Sequence, residues 1–421
     1  MSNSQLYNQY DRFVSPAILV GSVIFVLMLV PAEIAVLFVA VLTASIGILA
    51  YRLNNYLLTV FSVAFLVRVG LSIADHALGV LPVPPIASGH NQLAIELATS
   101  WTSGQFFGPL GDITQMRVLV AHVLAPFYVV IGHSPIAGRV AIASVSLLVG
   151  YLVFRIARHV TDRSTSLLAT SVVLFWPTIL VRSVLIQREI IGVVALLAVL
   201  WTAVQWLDTV TRPTIAVAVL ATIFIYTLRK ENLLLVATMV GVVSLVKSRD
   251  RPYYLAGLTL LALPFFAYFA LNFGQFTGFG TSVSPAALDA FAYGRAHGDA
   301  VYLQGLHYNT WLDVLLYAPI KVFYYLFTPL PWHIRNVTEL IVGTTALGLF
   351  VATILARRGI GMLKDEPYYL TLLLSYLVTG VVAYAIIEMN YGAAVRRRIQ
   401  FVPILLLLTV IGLSNVELDV R

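Results

Sequence analysis

The chain has 421 residues, of which 60% are hydrophobic and 11% are charged, and its mean hydropathy is +0.91. Soluble domains average roughly 45–50% apolar and about 25% charged residues, so this composition excludes a soluble globular protein. The formal net charge of +7 fits the lysine and arginine bias of cytoplasmic loops, and no nucleic-acid partner is expected. The absence of cysteine excludes disulfides, thiolate metal sites and cysteine nucleophiles.

Apolar runs of roughly 16 to 21 residues recur along almost the whole chain, and about 20 such residues cross a bilayer core as a helix. A membrane β-barrel would show shorter segments of alternating residues instead. The sequence therefore predicts an all-α fold, a polytopic transmembrane helical bundle of about 12 spans in a single integral-membrane domain. The expected spans are 14–30, 33–51, 55–73, 139–157, 164–182, 189–207, 213–228, 231–247, 253–272, 336–356, 368–387 and 397–414.

The orientation in the bilayer follows from the basic residues, because lysine and arginine collect in short cytoplasmic loops. The polar N-terminus lacks the features of a signal peptide, so the first apolar run is expected to stay as an anchor. The pattern predicts a multi-pass protein of the plasma membrane with both termini in the cytoplasm. The basic residues expected on the cytoplasmic side lie in 155–163, 247–251 and 357–366, together with Arg52 and Arg212.

Two long segments, 74–138 and 273–335, then form external loops. Each contains an apolar stretch, 116–132 in the first segment and 311–330 in the second. Counting either stretch alone as a span would reverse the charge bias of every later loop, so both are expected to be interfacial or re-entrant helices. The active site is expected on this external face.

Cations at three short external positions go against the positive-inside rule. Any one of these positions is explained by snorkelling to lipid headgroups or by pairing with Glu189, Glu231 or Glu388. Three on one face together favour an anionic ligand, because guanidinium groups match phosphate oxygens and helix breaks offer free backbone N–H groups. The residues expected to bind it are Arg182, Arg188, Arg229, Lys230, Arg396, Arg397 and Arg398.

Acidic residues that could act in catalysis lie in and after the third expected span. Arg68 and Asp75 are seven residues apart, which places them within about 20° of one another on a helix, and we expect an Arg–Asp pair at the mouth of a cavity. An ordinary interhelical salt bridge remains the alternative for this pair. His90, Glu96 and Asp112 follow in a Gly- and Pro-rich segment, as candidate bases or sugar contacts or as solvated loop residues.

No cofactor is expected. The chain has no G-x-S-x-G, P-loop or H-E-x-x-H motif, so no nucleophile or zinc site is predicted. Carboxylates could hold a divalent cation such as Mg²⁺ or Mn²⁺, but their spacing gives no positive sign of a metal site.

Four segments resemble polytopic glycosyltransferases of the GT-C superfamily, especially the family 39 and RgtA/B/C/D-like membrane proteins. They cover roughly residues 55 to 410 and occur in the family's order. The segments are "FLVRVGLS" with the external "HNQLAIELATSWTSGQ", then "LVAHVLAPFYVVIGHSPIAGRVAIASVSLLVGYLVFRIARHVT", "VVLFWPTILVRSVLIQREIIG" and "MNYGAAVRRRIQFVP".

The resemblance implies transfer of a sugar from a polyprenyl-phosphate donor, on the external face, to an acceptor glycan, lipid or protein. It also implies that an external acid acts as base and that basic residues hold the donor phosphate. At the position where the family has its acid, this chain has His90 and Asn91. Asp75, Glu96 and Asp112 therefore remain as candidates for the base, and Asp75 is preferred. Arg68 and His90 join the seven cations named above as candidate substrate contacts.

Two other functions are compatible with the sequence. A polysaccharide polymerase or ligase would also use polyprenyl-diphosphate glycans and external arginines. A lipid-glycan flippase or other transporter would instead carry ionisable residues near the middle of the membrane and related halves. The charges of this chain collect at one face, and no half-repeat is visible.

Overall fold

The structure is a computed structural model, and it describes residues 55–79, 81, 85–105, 116–132, 135–249, 284–296, 298, 300–335 and 337–414. Over these ranges the chain is helical and forms no β-strand, apart from one isolated bridge between Val301 and Asn390. The expected all-α fold is confirmed there. The apolar composition explains it, because a helix satisfies its own backbone hydrogen bonds in a medium without water.

Fifteen α-helices are formed within the described ranges. The first eight are α1 Asn55–Leu78, α2 Pro85–Thr102, α3 Met116–Ile131, α4 Pro135–Val160, α5 Arg163–Leu174, α6 Pro177–Ser183, α7 Arg188–Asp208 and α8 Arg212–Leu228. The others are α9 Leu233–Ser248, α10 Pro285–Gly294, α11 Trp311–Phe327, α12 Val337–Met362, α13 Pro367–Ile387, α14 Tyr391–Arg398 and α15 Val402–Ser414. Short 3₁₀ turns occupy Lys230–Asn232, Pro331–His333 and Leu363–Asp365.

Six helical stretches of the described chain are long and apolar enough to cross a membrane, and eight are if each of two bent pairs counts as one span. The chain is therefore a multi-pass helical membrane protein. The six are Tyr56–Leu78, Ile136–Val160, Arg188–Asp208, Lys230–Ser248, Glu339–Asp365 and Pro367–Ile387. The bent pairs are α5 with α6, at 60°, and α14 with α15, at 64°. The expected spans 14–30, 33–51 and 253–272 lie outside the described residues, so the number 12 stays a prediction.

Helices form at both stretches that the sequence predicted to be interfacial or re-entrant. α3 has 16 residues and contains Pro126, and α11 has 17 residues and contains Pro319. Thr310 begins α11 with a capping box, in which its side chain accepts from Asp313 N while the Asp313 carboxylate accepts from Thr310 N. The placement of these helices relative to a bilayer stays a prediction.

The chain divides into two compact units, and the first consists of 1–151 and 174–191. Within it α2 packs on α3. The hydroxyl of Tyr128 on α3 donates to Asn91 Oδ1 on α2 at 2.6 Å, and the rings of Trp101 and His122 meet edge to face. The same hydroxyl lies 2.1 Å from where a Cβ on Gly138 would stand, so only glycine fits at that point of α4.

The second unit consists of 152–173 and 192–421. Its most extensive helix pair is α12 with α15, and α13 packs on both α9 and α11. Glycines let α12 and α15 approach closely, since a Cβ on Gly359 would stand 1.9 Å from Leu408 O. Thr409 Oγ1 donates to Ala352 O at 2.8 Å across the same contact. Small residues at such crossings are typical of helix packing in membranes.

Gly359→Ala is expected to destabilise the second unit, because the added methyl group must push the α15 backbone away. Overpacking of this kind costs about 1–3 kcal/mol. Gly361→Ala is the matched control, since no atom lies within 4 Å of a Cβ there and the same helix gains the same propensity. The measurement is thermal unfolding in detergent. A melting temperature of Gly359→Ala equal to that of Gly361→Ala would contradict the close crossing.

Candidate functional site

Arg68 is fully buried in the first unit, and protein groups take up its guanidinium. Its Nε donates to Ser146 Oγ at 2.9 Å, Nη1 to Ala64 O at 3.0 Å and Nη2 to Leu174 O at 2.8 Å. A charged side chain among apolar helices persists where such partners exist. The geometry therefore gives Arg68 a structural part in joining α1, α4 and the end of α5.

Asp75 pairs with Arg139 instead of the Arg68 that the sequence suggested. Its Oδ2 lies 2.6 Å from Arg139 Nη1, its Oδ1 accepts from Leu81 N at 2.6 Å, and its side chain is 0% exposed. Seven residues place Arg68 and Asp75 on one helix face, but they also separate them by about 10 Å along the axis. The two side chains therefore contact different residues of α4, Arg68 contacting Ser146 and Asp75 contacting Arg139.

The other first-unit candidates lie in varied settings. His90 is buried on α2, whereas Glu96 is exposed on the same helix and accepts from Gln92 Nε2 at 3.3 Å. Arg182 on α6 donates to Gln187 Oε1 at 2.9 Å, and Arg188 begins α7. Asp112 lies outside the described residues. None of these contacts shows a ligand site by itself.

Asp75→Asn is expected to destabilise the folded protein, because it leaves Arg139, whose side chain is 13% exposed, without its counter-ion. Removing one partner of a buried ion pair costs about 3–5 kcal/mol. Thermal unfolding in detergent measures the loss, and Glu96→Gln on the exposed face of α2 is the control, for which no shift is expected. An unchanged melting temperature for Asp75→Asn would show that the pair contributes nothing to stability.

Two helix breaks of the second unit are held together by buried amides. α8 ends at Leu228, Arg229 is extended with φ −154° and ψ 90°, and a 3₁₀ turn precedes α9. Asn232 in this turn donates through Nδ2 to Gln400 Oε1 at 2.6 Å, next to the break between α14 and α15. Tyr384 completes the network, since its hydroxyl donates to Asn232 Oδ1 at 2.6 Å.

The segment before α11, which the sequence predicts to be an external loop, is fastened to the linker between α13 and α14. Tyr302 N donates to Met389 O and Tyr391 N to Ala300 O, each at 2.9 Å. The Tyr302 hydroxyl donates to Glu388 O at 3.0 Å. These bonds fix the backbone of Glu388, whose side chain is completely buried.

Arg396, Arg397 and Arg398 take three different roles, since successive residues of a helix point about 100° apart. Arg396 Nε donates back to Gly392 O of its own helix at 3.2 Å. Arg397 Nη1 lies 2.6 Å from Glu388 Oε2, and its guanidinium stands over the Tyr384 ring. Buried Arg398 donates through Nη1 to Leu326 O at 2.5 Å and Thr328 O at 2.6 Å. Of the three, Arg397 is the one that faces other charged groups.

Charged groups gather around Arg397 and form what we call the cation cluster, which consists of Arg229, Arg295, Arg397, Glu231 and Glu388. Glu231 interacts electrostatically with all three arginines, and Arg295 with Arg397 and both carboxylates. Three positive charges face two negative charges, which leaves one positive charge in excess. Lys230 lies beside the cluster in sequence, with its ammonium 5.5 Å from the centre of the Tyr226 ring.

Arg295 is the member of the cluster that best indicates a ligand. Its guanidinium stacks on Phe291 at 3.5 Å, and its buried Nη1 has no hydrogen-bond partner in the described part of the chain. Burial and the Arg397 cation lower the pKa of Arg295 to about 10, against the opposing effect of Glu231 and Glu388. Arg295 stays charged at neutral pH, so an anion between Arg295 and Arg397 would relieve their repulsion.

Sequence reasoning missed Arg295, Arg139 and Lys321 as functional or pairing residues. The positive-inside rule examines short loops, whereas Arg295 lies within a long external segment. Lys321 on α11 is buried, its ammonium stands 4.3 Å from the centre of the Tyr308 ring, and Nζ donates to Ile386 O at 3.2 Å. A single lysine in an apolar helix was the available signal for that position.

A partly open apolar cavity of about 380 Å³ lies in the second unit between α11 and α12. Arg398 donates to the carbonyls of Leu326 and Thr328, which flank the cavity-lining Phe327 in sequence. Such a lining suits hydrocarbon and offers almost no hydrogen bond to a polar ligand. Its wall includes Phe323, Phe327, Leu330, Leu340, Leu347 and Phe350.

Lys321 is expected to make stability depend on pH. Burial lowers its pKa from 10.5 to about 8, although Asp289 and Glu388 favour the charged form. Between these values the unfolded chain keeps a proton that the folded protein has released, so the free energy of unfolding rises with pH across this window, by about 3 kcal/mol in total. Denaturant unfolding at pH 7.5 and 9.5 measures about 2 kcal/mol of this rise, which Lys321→Met is expected to abolish. An equal rise in both proteins would contradict the assignment.

No group of three or more potential metal ligands occurs among the residues that the structure describes. The site is therefore argued from its cations and carboxylates alone. The GT-C resemblance rests on the four quoted segments and stays a prediction, since function has to be argued from the site. No protein-family model, no curated protein and no solved structure matches this chain.

Proposed function

We propose that this protein is a membrane glycosyltransferase that moves a sugar from a polyprenyl-phosphate-linked donor to an acceptor. The proposal includes about 12 spans, a plasma-membrane location, an active site on the external face and both termini in the cytoplasm. The acceptor is a glycan, a lipid or a protein that offers a hydroxyl group.

The observation that carries the proposal is the excess positive charge of the cation cluster, with Arg295 Nη1 buried and unsatisfied among the described residues. The phosphodiester of the donor, and the phosphate monoester that leaves after transfer, supply oxygen acceptors that guanidinium groups bind in pairs. The apolar cavity beside α11 supports a lipid-linked phosphate over a free one, because an isoprenoid chain fills such a space. The cluster and the cavity belong to the same unit.

The cluster would act mainly in the transition state. As the bond between the anomeric carbon and the phosphate oxygen breaks, negative charge grows on the leaving polyprenyl phosphate. Arg295 and Arg397 stabilise that charge more strongly than the charge of the bound donor, which lowers the barrier. Glu388 holds Arg397 in place through its ion pair, so the cation needs no reorganisation during the reaction.

The reaction also needs a group that takes the proton of the acceptor hydroxyl. The sequence favours Asp75, followed by Glu96 and Asp112. The Asp75 carboxylate is enclosed by Arg139 and Leu81 N, and the exposed Glu96 accepts from Gln92. If the Asp75→Asn protein still binds the donor but no longer transfers the sugar, that result would support Asp75 as the base.

Donor binding by the cation cluster is testable with polyprenyl monophosphate and purified protein in liposomes. Arg295→Gln and Arg397→Gln are each expected to weaken binding by about tenfold or more, because a hydrogen bond to a charged group contributes about 1.5–3 kcal/mol. Arg396→Gln is the matched control, since Arg396 bonds to the backbone of its own helix.

The results distinguish phosphate binding by the cluster from a structural role of its arginines. If Arg295→Gln and Arg397→Gln bind polyprenyl monophosphate as tightly as Arg396→Gln does, the cluster binds no phosphate. Arg397→Gln also leaves Glu388 without its ion-pair partner, so weaker binding in this variant alone does not distinguish phosphate binding from misfolding. Arg295→Gln keeps that ion pair, so weaker binding in it does not have this cause. Transfer of a radiolabelled sugar from a polyprenyl-phosphate-linked sugar to added acceptors completes the test, and wild-type protein that binds polyprenyl monophosphate and transfers nothing would overturn the enzyme proposal.

A further inference from the structure

A carboxylate and an imidazole form a close pair on the external-loop segment of the second unit. His307 Nδ1 lies 3.0 Å from Asp289 Oδ2, and the other oxygen of Asp289 accepts from Tyr308 N at 2.9 Å. Asp289 lies on α10, and His307 lies on the loop before α11. We call these two residues the Asp–His pair.

The pair fixes which nitrogen of the imidazole carries the proton. A carboxylate accepts only, so the neutral ring presents Nδ1–H to Asp289 and leaves Nε2 as a lone-pair acceptor. The Tyr293 ring lies parallel to the imidazole, with an interplanar angle of 4° and centres 4.4 Å apart, and holds its plane. Tyr293 itself is fixed, since its hydroxyl donates to Gln304 O.

Nε2 is open to a ligand. The His307 side chain is 55% exposed, and within the described ranges its contacts are those to Asp289 and Tyr293. Asp75, by contrast, has a side chain with no exposed surface. A base has to reach the hydroxyl whose proton it takes, and the exposed His307 side chain is accessible to such a group.

Lys321 and Tyr308 connect the pair to the cation cluster. The Lys321 ammonium interacts electrostatically with Asp289 of the pair and with Glu388 of the cluster. Tyr308 donates its N–H to Asp289 and its hydroxyl to Ile386 O, two residues before Glu388. Arg295 follows directly on the helix that carries Asp289. The pair and the phosphate-binding cations thus belong to one assembly of side chains.

We propose that His307, oriented by Asp289, is the general base that activates the acceptor hydroxyl; this inference rests on the proposed glycosyltransferase function. The hydroxyl proton passes to His307 Nε2, and the acceptor oxygen forms a bond to the anomeric carbon. The bond from that carbon to the phosphate oxygen breaks, and polyprenyl phosphate leaves with the electron pair. Asp289 stabilises the imidazolium that results.

A purely structural role for Asp289 makes a different prediction. Asp289 also ties Tyr308 N to α10, and Asn at this position keeps an oxygen for that bond. The Asn side chain, however, presents its amide N–H to His307 Nδ1. Nδ1 then has to accept a hydrogen bond, so the ring proton moves to Nε2 and that nitrogen can no longer act as the base. Asp289→Asn therefore keeps the loop tie and loses proton transfer, as in the general logic of carboxylate-oriented histidines.

The experiment uses the full-length protein in liposomes with the polyprenyl-phosphate sugar donor and an acceptor alcohol. His307→Gln and Asp289→Asn are each expected to lower the transfer rate about 10²–10⁴-fold, the usual contribution of a general base, with unchanged donor binding. Added imidazole is expected to restore part of the rate to His307→Gly and none to Asp75→Asn.

Each result decides between the alternatives. Full activity in His307→Gln overturns the Asp–His pair, while the glycosyltransferase function stands; loss of transfer in Asp75→Asn with unchanged donor binding then supports the aspartate. Donor binding without transfer to any acceptor in the wild type overturns the function and the base together. Full transfer activity in Asp289→Asn shows that Asp289 is a structural tie only and overturns the proposal. The histidine ¹⁵N spectrum is an independent readout, and a proton on Nε2 of His307 in the wild type overturns the assignment.

Discussion

Charged and polar groups of a membrane protein have to find their partners inside the protein, because hydrocarbon supplies none. This constraint explains most of the polar contacts described above. The Arg68 guanidinium donates to three protein oxygens, and that of Arg398 donates to two backbone carbonyls. Glu388 is buried and finds Arg397. A cation whose needs are incompletely met therefore stands out, and Arg295 is such a residue within the described chain.

The positions of helices could be read from the sequence, since each is determined by a local run of apolar residues. Six of the expected spans coincide with helices of the described chain that are long and apolar enough to cross a membrane, two more fall on the bent pairs, and 213–228 falls on the shorter α8. The candidate site was open to prediction in part, because the sequence pointed to Arg229 and Arg397, which the structure brings together around Glu231. Their partners were not predictable, since Asp75 meets Arg139 and Asn232 meets Gln400 over long separations in sequence. Such contacts depend on how helices pack, and periodicity carries no information about that.

The consecutive arginines illustrate the same limit. As a sequence, Arg396 to Arg398 form one block of positive charge. As a helix, the block is divided among a local backbone contact, an ion pair and a buried backbone clamp. Of the three, Arg397 joins Arg229 and Arg295, which come from distant segments, in the cation cluster. A dense run of like charges thus predicts a site less well than the directions in which its members point.

Glu388 links the segment before α11 to the arginines. Its carbonyl accepts from the Tyr302 hydroxyl, and its carboxylate faces Arg397. The residue is therefore held to this segment through its main chain and to Arg397 through its side chain. A displacement of the segment would alter the position of that carboxylate and hence the electric field at Arg397. The conformation of the segment and the electrostatics of the cation cluster thus share a single mechanical link.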